Sequence, residues 1–226
     1  MSTSWARLLW VVPCCVACSG GGDGDAASKV SEWSGHTYEL SIGERSWTEP
    51  RGVINDVKDY VPQFLFEVQG DAAASFKVLT ATAKDAVQDP CTTTSVLPGS
   101  GNAVGPADFP LRIKHLREDI VVQATLRDVA FMRALPTGGV VSDSGTFSAT
   151  LDARDVAPLF TQIDADPTAD ELCSTLMQLS PPVPCQACPQ DGEEYCLTLK
   201  AEHIGVTELD GVTIEPITTP SEASCD

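Results

Sequence analysis

The stretch Ser75-Phe76-Lys77-Val78-Leu79-Thr80-Ala81-Thr82-Ala83 decides the fold class of this 226-residue chain. It is rich in β-branched residues, and alternation along a strand puts Phe76, Val78, Thr80 and Thr82 on one side. Just upstream, Phe64-Leu65-Phe66-Glu67-Val68 is set into extended geometry by Pro62. Gly70-Asp71 between the two runs predicts a hairpin. Further upstream, Thr37-Tyr38-Glu39-Leu40-Ser41-Ile42 alternates so that Tyr38, Leu40 and Ile42 share a face.

Downstream the same period returns. Residues 90–108 read as a long surface loop broken by Pro98-Gly99-Ser100-Gly101-Asn102. Residues 111–116 and 120–128 then alternate as an antiparallel pair, and Gly145–Asp152 puts Phe147, Ala149 and Leu151 on a core face. Residues 195–206 and 211–217, joined by an Asp210-Gly211 turn signal, close the series. One helix interrupts it. Asp166 is placed as its N-cap, Pro167 suits the first helical position, and Asp170 and Glu171 suit the first turn. Leu172, Leu176 and Leu179 form its apolar stripe before Pro181-Pro182. A shorter turn is expected within residues 153–160, limited by Pro158.

These elements predict an all-β fold: an antiparallel barrel or sandwich with one short α-helical insertion before the C-terminal hairpin. The period does not distinguish barrel from sandwich. The expected organisation is a signal peptide over 1–17, a flexible tether over 18–34, one β-rich domain over 35–217 and a tail over 218–226.

The N-terminus carries an address. Arg7 is followed by an apolar run of roughly ten residues, too short to span a bilayer. The run ends in Cys15-Val16-Ala17-Cys18 and leads into Ser19-Gly20-Gly21-Gly22-Asp23-Gly24-Asp25. Val16, Ala17 and Cys18 resemble the last three positions of the bacterial lipoprotein lipobox, while Cys15 departs from the usual Leu. The resemblance implies cleavage before Cys18, lipidation of its thiol and attachment to a membrane, with Ser19 pointing to the outer membrane of a Gram-negative envelope. Acyl chains add roughly 0.8 kcal/mol per buried methylene, so a triacylated Cys18 would be firmly anchored. A plain secretory signal cleaved after Ala17 and an uncleaved anchor are the competing readings, the anchor opposed by the length of the run and by Pro13 within it.

Removing Cys14 and Cys15 with the signal, and giving Cys18 to lipid, leaves Cys91, Cys173, Cys185, Cys188, Cys196 and Cys225. Six cysteines in an oxidising compartment read as three disulfides with fifteen possible connectivities. The preferred arrangement has two local bridges within residues 173–196 and a long one from Cys91 to Cys225. The long bridge would contribute about 4–5 kcal/mol in the chain-entropy model.

The chain has 14 basic and 32 acidic residues, a formal charge of −18. Without residues 1–17, which hold Arg7 and no acid, 13 basic against 32 acidic residues give −19. This argues against nucleic acid and anionic head groups as partners. A carboxylate surplus could attract calcium or a basic partner, although a solvated acidic surface explains it as well.

Local motifs offer little chemistry. Cys185-Gln186-Ala187-Cys188 has redox spacing, but prolines flank it and a strand follows it. Cys173, Cys185, Cys188 and Cys196 could supply four thiolates to zinc, yet only one closely spaced pair is present. A disulfide-knotted loop pinning the helix to the next strand is the preferred reading. His36, His115 and His203 lie at or within strand-like runs, without a nucleophile elbow, an HExxH pair, a Walker loop or a dinucleotide fingerprint. The acidic residues 164–171 lack the EF-hand spacing. Trp33, Trp47, Phe64 and Phe66 are expected in the core rather than on a binding surface.

The expectation is a non-catalytic envelope lipoprotein without metal or cofactor, serving a structural or binding role toward an envelope protein. Its rivals are a lipocalin-like module for a small apolar or lipid ligand, and a secreted hydrolase using buried carboxylates.

Overall fold

A computed structural model describes residues 32–40, 42, 46–51, 63–70, 76–84, 86–114, 120–135, 144–161, 166–220 and 225. The signal segment, Cys18, His115 and most of the tether lie outside them. Trp33, assigned by composition to the tether, is buried in the main core.

The fold is all-β. Its strands in chain order are β1 (Thr37–Leu40), β2 (Trp47–Glu49), β3 (Gln63–Gln69), β4 (Phe76–Lys84), β5 (Val87–Gln88), β6 (Ser95–Ser100), β7 (Ala103–Lys114), β8 (Val121–Met132), β9 (Gly145–Asp152), β10 (Cys196–Ile204) and β11 (Val206–Leu209). They form one antiparallel sheet in the order β11-β1-β3-β4-β6-β7-β8-β9-β10-β2, with β5 on β4. Only Gly205 separates β10 from β11, so the two read as one bent strand. Its first half pairs with β9 and β2, its second half with β1. The sheet therefore curls into a half-barrel, its β11 edge joined through Gly205 to β10 near the opposite edge. One curled sheet, not two stacked layers, resolves the barrel-or-sandwich alternative toward a barrel-like form.

Side-chain alternation explains the inside. Phe64, Phe66 and Val68 of β3, Val78 of β4, Leu111 and Ile113 of β7, Phe147 and Ala149 of β9, and Leu197, Leu199 and Ala201 of β10 all join the main core. Phe64 lies 5.4, 5.8 and 6.2 Å, centroid to centroid, from Phe109, Phe131 and Phe147. Phe131 is also 4.8 Å from Phe66 and 5.2 Å from Phe147. Aromatic rings thus occupy the middle of the curl. Trp47 is half-buried and packs edge-on against Phe147 at 5.8 Å.

Two strands change phase, and each change has a bulge. In β8, Val122, Ala124 and Leu126 face inward and then Val129 and Phe131, across a register shift that includes Asp128 at φ +52°. In β10, inward Ala201 is followed by inward Ile204, across a shift at His203 with φ +56°.

The sequence reading needs three corrections. Residues 90–108 are not a loop: they hold β6 and the first part of β7, joined through Gly101 at φ +58°. The ladder between β6 and β7 is two residue pairs long and stops before Pro98, while on the other side of β6 Pro98 stands opposite Lys77 of β4. Residues 211–217 make no ladder. They run extended over the outer side of β3 and β4, where Ile214 packs with Leu65, Leu79, Ala81 and Ala83 in a second cluster. Asp166 is not the N-cap of the main helix, α2 (Ala169–Met177). Thr168 caps it, accepting from the Glu171 N–H while the Glu171 carboxylate accepts from the Thr168 N–H at 2.8 Å. A reciprocal box satisfies two orphan donors, which a lone Asp two residues earlier would not reach.

The short turn after β9 is a helix, α1 (Ala153–Val156), continued by a 3-10 turn (Ala157–Leu159) that accepts Pro158 near its start. Val156, Leu159, Leu172 and Leu176 bring these helices into the main core, and Val183 joins it from the loop after α2. Among the described residues no helix is long and apolar enough to cross a membrane.

Candidate functional site

The densest polar arrangement lies where β9 turns into α1. Asp152 ends β9, is 5 % exposed, and caps α1 by accepting from the Arg154 N–H at 2.9 Å. The Arg154 guanidinium folds back on the same carboxylate, with Nε donating at 2.9 Å and Nη2 at 2.6 Å. Gln190 Nε2 adds a further donor at 2.7 Å. Burial pushes the Asp152 carboxyl up, but the side-chain and backbone bonds from Arg154 outweigh it, and its pKa lies below the ordinary value.

Arg154 holds two carboxylates at once, donating from Nη2 to Asp191 at 2.7 Å. Its Cζ also stands 5.1 Å from the centre of the Tyr195 ring. Both acids hold the guanidinium in its charged form. The Glu193 backbone N–H and then Arg154 hold Asp191 below the usual carboxylate range. Tyr195 donates its hydroxyl to Asp170 of α2 at 2.9 Å, and this bond raises the phenol's pKa.

Asp155 is the second acid of α1. Strand β9 leaves β8 at Asp152, so the next backbone donor of β8, the Thr125 N–H, loses its ladder partner. The Asp155 carboxylate takes that donor at 3.3 Å. Burial raises the Asp155 pKa, against the Thr125 bond that lowers it. Two carboxylates three residues apart are thus pushed in opposite directions.

The cysteines fall into three bridges: Cys91–Cys225, Cys173–Cys185 and Cys188–Cys196, with Cα atoms 5.3, 5.7 and 5.0 Å apart. Cys185 and Cys188 therefore belong to different bonds, and their CxxC spacing does not form a dithiol pair. The Cys188 sulfur lies 3.9 Å from Asp152 Oδ2. Asp152, Cys188 and Cys196 bring three ligand-type atoms within 4.8 Å of one another, but the two sulfurs are joined to each other. A disulfide offers no thiolate to a metal, so the bonded pair does not fit zinc. Around the bond, Gln186 and Cys196 exchange backbone hydrogen bonds at 2.7 and 2.9 Å, tightening the loop onto β10.

Other residues singled out by sequence lie elsewhere. His36 Nδ1 is 2.5 Å from Glu208 Oε1 across the β1–β11 seam. His203 sits exposed at the β10 bulge, where its carbonyl accepts from Ser46 Oγ at 3.5 Å. Trp33, Phe64 and Phe66 are core residues. Sequence reasoning missed the Asp152–Arg154–Asp191 group. Its one local signal is an acid ending a strand pattern immediately before a helical turn, Asp152-Ala153-Arg154-Asp155.

Comparison with protein-family models, with curated proteins and with solved structures gives no match to this chain.

Proposed function

We propose that this chain is a non-catalytic envelope lipoprotein, held at a membrane through Cys18 and presenting its β domain in a structural or binding role. The observation that carries the reading is Val16-Ala17-Cys18 followed by a Gly- and Asp-rich tether. Three disulfides agree with an exported chain. The Asp152 carboxylate, accepting from Arg154 and Gln190, has a structural part to play as the cap of α1. The strong acidity keeps such a domain in solution beside an anionic membrane. An outer-membrane address rests on Ser19.

Intact mass of the protein extracted from membranes tests the reading. A chain starting at Cys18 with acyl additions is the expected result. An unlipidated chain starting elsewhere overturns it.

One observation favours a second reading, a binder of a small apolar or lipid ligand: a single sheet curled into a half-barrel approaches the architecture that encloses such ligands. The phenylalanine cluster weighs against it by occupying the centre. Saturable binding of a fluorescent lipid would favour this reading over the structural one. The hydrolase reading has its best locus at Asp155, and carboxylates that all titrate in the ordinary range would end it.

A further inference from the structure

Residues 211–217 form a strap rather than a strand. The strap hides a strip that the main core does not reach: Leu65 on β3 and Leu79, Ala81 and Ala83 on β4, all under Ile214. Its remaining grip consists of separate hydrogen bonds. Ile214 N donates to Glu67 Oε2 at 2.8 Å, Glu215 N to Gln88 Oε1 at 2.9 Å, and Ile217 N to Thr94 Oγ1 at 3.1 Å. In return Gln88 Nε2 donates to Glu215 O at 2.8 Å, and Thr94 N to Ile217 O at 3.0 Å. One apolar anchor and partly exposed hydrogen bonds give little with which to order an extended segment.

The covalent fastening lies beyond the strap. Cys225 is bonded to Cys91, just before β6, and its carbonyl accepts from Arg112 Nη2 at 3.0 Å. Cys91 is buried and Cys225 half-buried, whereas both sulfurs of Cys188–Cys196 belong to buried residues under the Asp152 group. Cys173–Cys185 is half-buried, but it ties α2 to the following loop and touches nothing of the strap.

We propose that Cys91–Cys225 is a reducible latch whose opening releases the strap and uncovers the apolar strip on β3 and β4, with the barrel left folded. The reductant is a dithiol. Its thiolate attacks the Cys225 sulfur, and Cys91 leaves as a thiolate and takes a proton. The second thiol then displaces Cys225, which is protonated in turn, and the reagent ends as a disulfide.

The test uses the full-length protein without denaturant. It is treated with dithiothreitol, alkylated, and followed by peptide mass analysis, amide hydrogen exchange and an apolar dye. The expected result is labelling of Cys91 and Cys225 while Cys188 and Cys196 stay unlabelled. Exchange at Ile214, Glu215 and Ile217 then rises about ten-fold or more, the amides of β7 to β9 keep their protection, and the dye brightens. A C173A/C185A variant keeps its strap protected, and C91A/C225A behaves as the opened form. Three results would each overturn the latch: labelling of all six cysteines together with loss of barrel protection, a strap that stays protected once Cys91 and Cys225 are labelled, or a C91A/C225A chain that cannot fold.

Discussion

Asp155 accepts the backbone N–H of Thr125 at 3.3 Å, replacing the ladder bond that β8 loses where β9 turns into α1. Replacing it by Ala orphans that donor, and an unsatisfied partly buried amide costs about 1–3 kcal/mol. Asp155→Asn keeps an acceptor and should cost less. The two variants also separate in pH. The folded carboxyl holds its proton more tightly than the ordinary value of 3.8, so its contribution is full below that value and declines as pH rises through the folded pKa. Urea unfolding between about pH 3 and pH 7 should show that decline in the parent protein and not in Asp155→Asn.

Asp152 has the opposite sign. Its folded pKa lies below 3.8, so its contribution is present above that value and is lost as pH falls through the folded pKa. Asp152→Ala removes the cap of α1 and should cost about 0.5–2 kcal/mol near neutral pH. The difference from the parent should shrink as acid protonates the parent's own carboxylate. A constant difference across the acid range in thermal melts would contradict this assignment.

The strands were legible where side chains alternate without interruption. Phe64-Leu65-Phe66 and the run from Phe76 to Ala83 read directly as a hairpin, which the Phe64–Thr82 and Phe66–Thr80 pairs realise. They were illegible where backbone exceptions carry the strand. Pro98 and Gly99 signal a loop, yet both stand within β6, opposite Lys77 and Phe76 of β4. Both faces of β4 are buried, and only the strap explains the outer one: nothing local to residues 76–84 reveals that Ile214, over a hundred positions later, covers Leu79 and Ala81. The Asp152 group was hidden for the same reason, since Gln190 and Asp191 reach it only through the Cys188–Cys196 loop. The local bridges were more readable, because cysteines so close in sequence have few partners at hand.

Gly105 marks a close approach of backbones. It sits at φ +93°, and a Cβ there would fall 2.1 Å from the carbonyl oxygen of Val129 on β8. That contact is with backbone and cannot be relieved by a rotamer change. Gly105→Ala should therefore lower stability by about 2 kcal/mol or more, through strain and loss of the β7–β8 bulge. Gly101→Ala is the control: φ is +58° with nothing within 4 Å, so only the left-handed backbone penalty of about 1–2 kcal/mol applies. Chemical denaturation of the two variants side by side measures the difference.

Tyr38 should report on the seam between β1 and β11. Burial, together with the negative charges of Glu208 and Glu32, pushes its phenol from 10.0 up to about 12. The unfolded chain ionises first, so this group's contribution is full below pH 10.0 and is lost as pH rises toward 12. Two units correspond to about 2–3 kcal/mol. Tyr38→Phe removes the titrating group, and its alkaline unfolding should be correspondingly less steep. Matching alkaline profiles for the variant and the parent would place the phenol's titration outside the folding equilibrium.

Phe131 tests what fills the curl. Its ring lies 4.8, 5.2 and 5.8 Å from Phe66, Phe147 and Phe64, and it is 1 % exposed. Truncation to Ala should cost about 3–5 kcal/mol, because close-packed neighbours on strands β3, β8 and β9 cannot collapse fully into the space. Phe131→Leu should cost less, since most of the volume remains. The void also makes a second, separable prediction. An apolar cavity stays dry and binds small apolar probes, so xenon or benzene should raise the melting temperature of Phe131→Ala and leave the parent unchanged. Equal stabilisation of the parent would mean that its interior already has room for a ligand, and would favour the binding reading over the structural one.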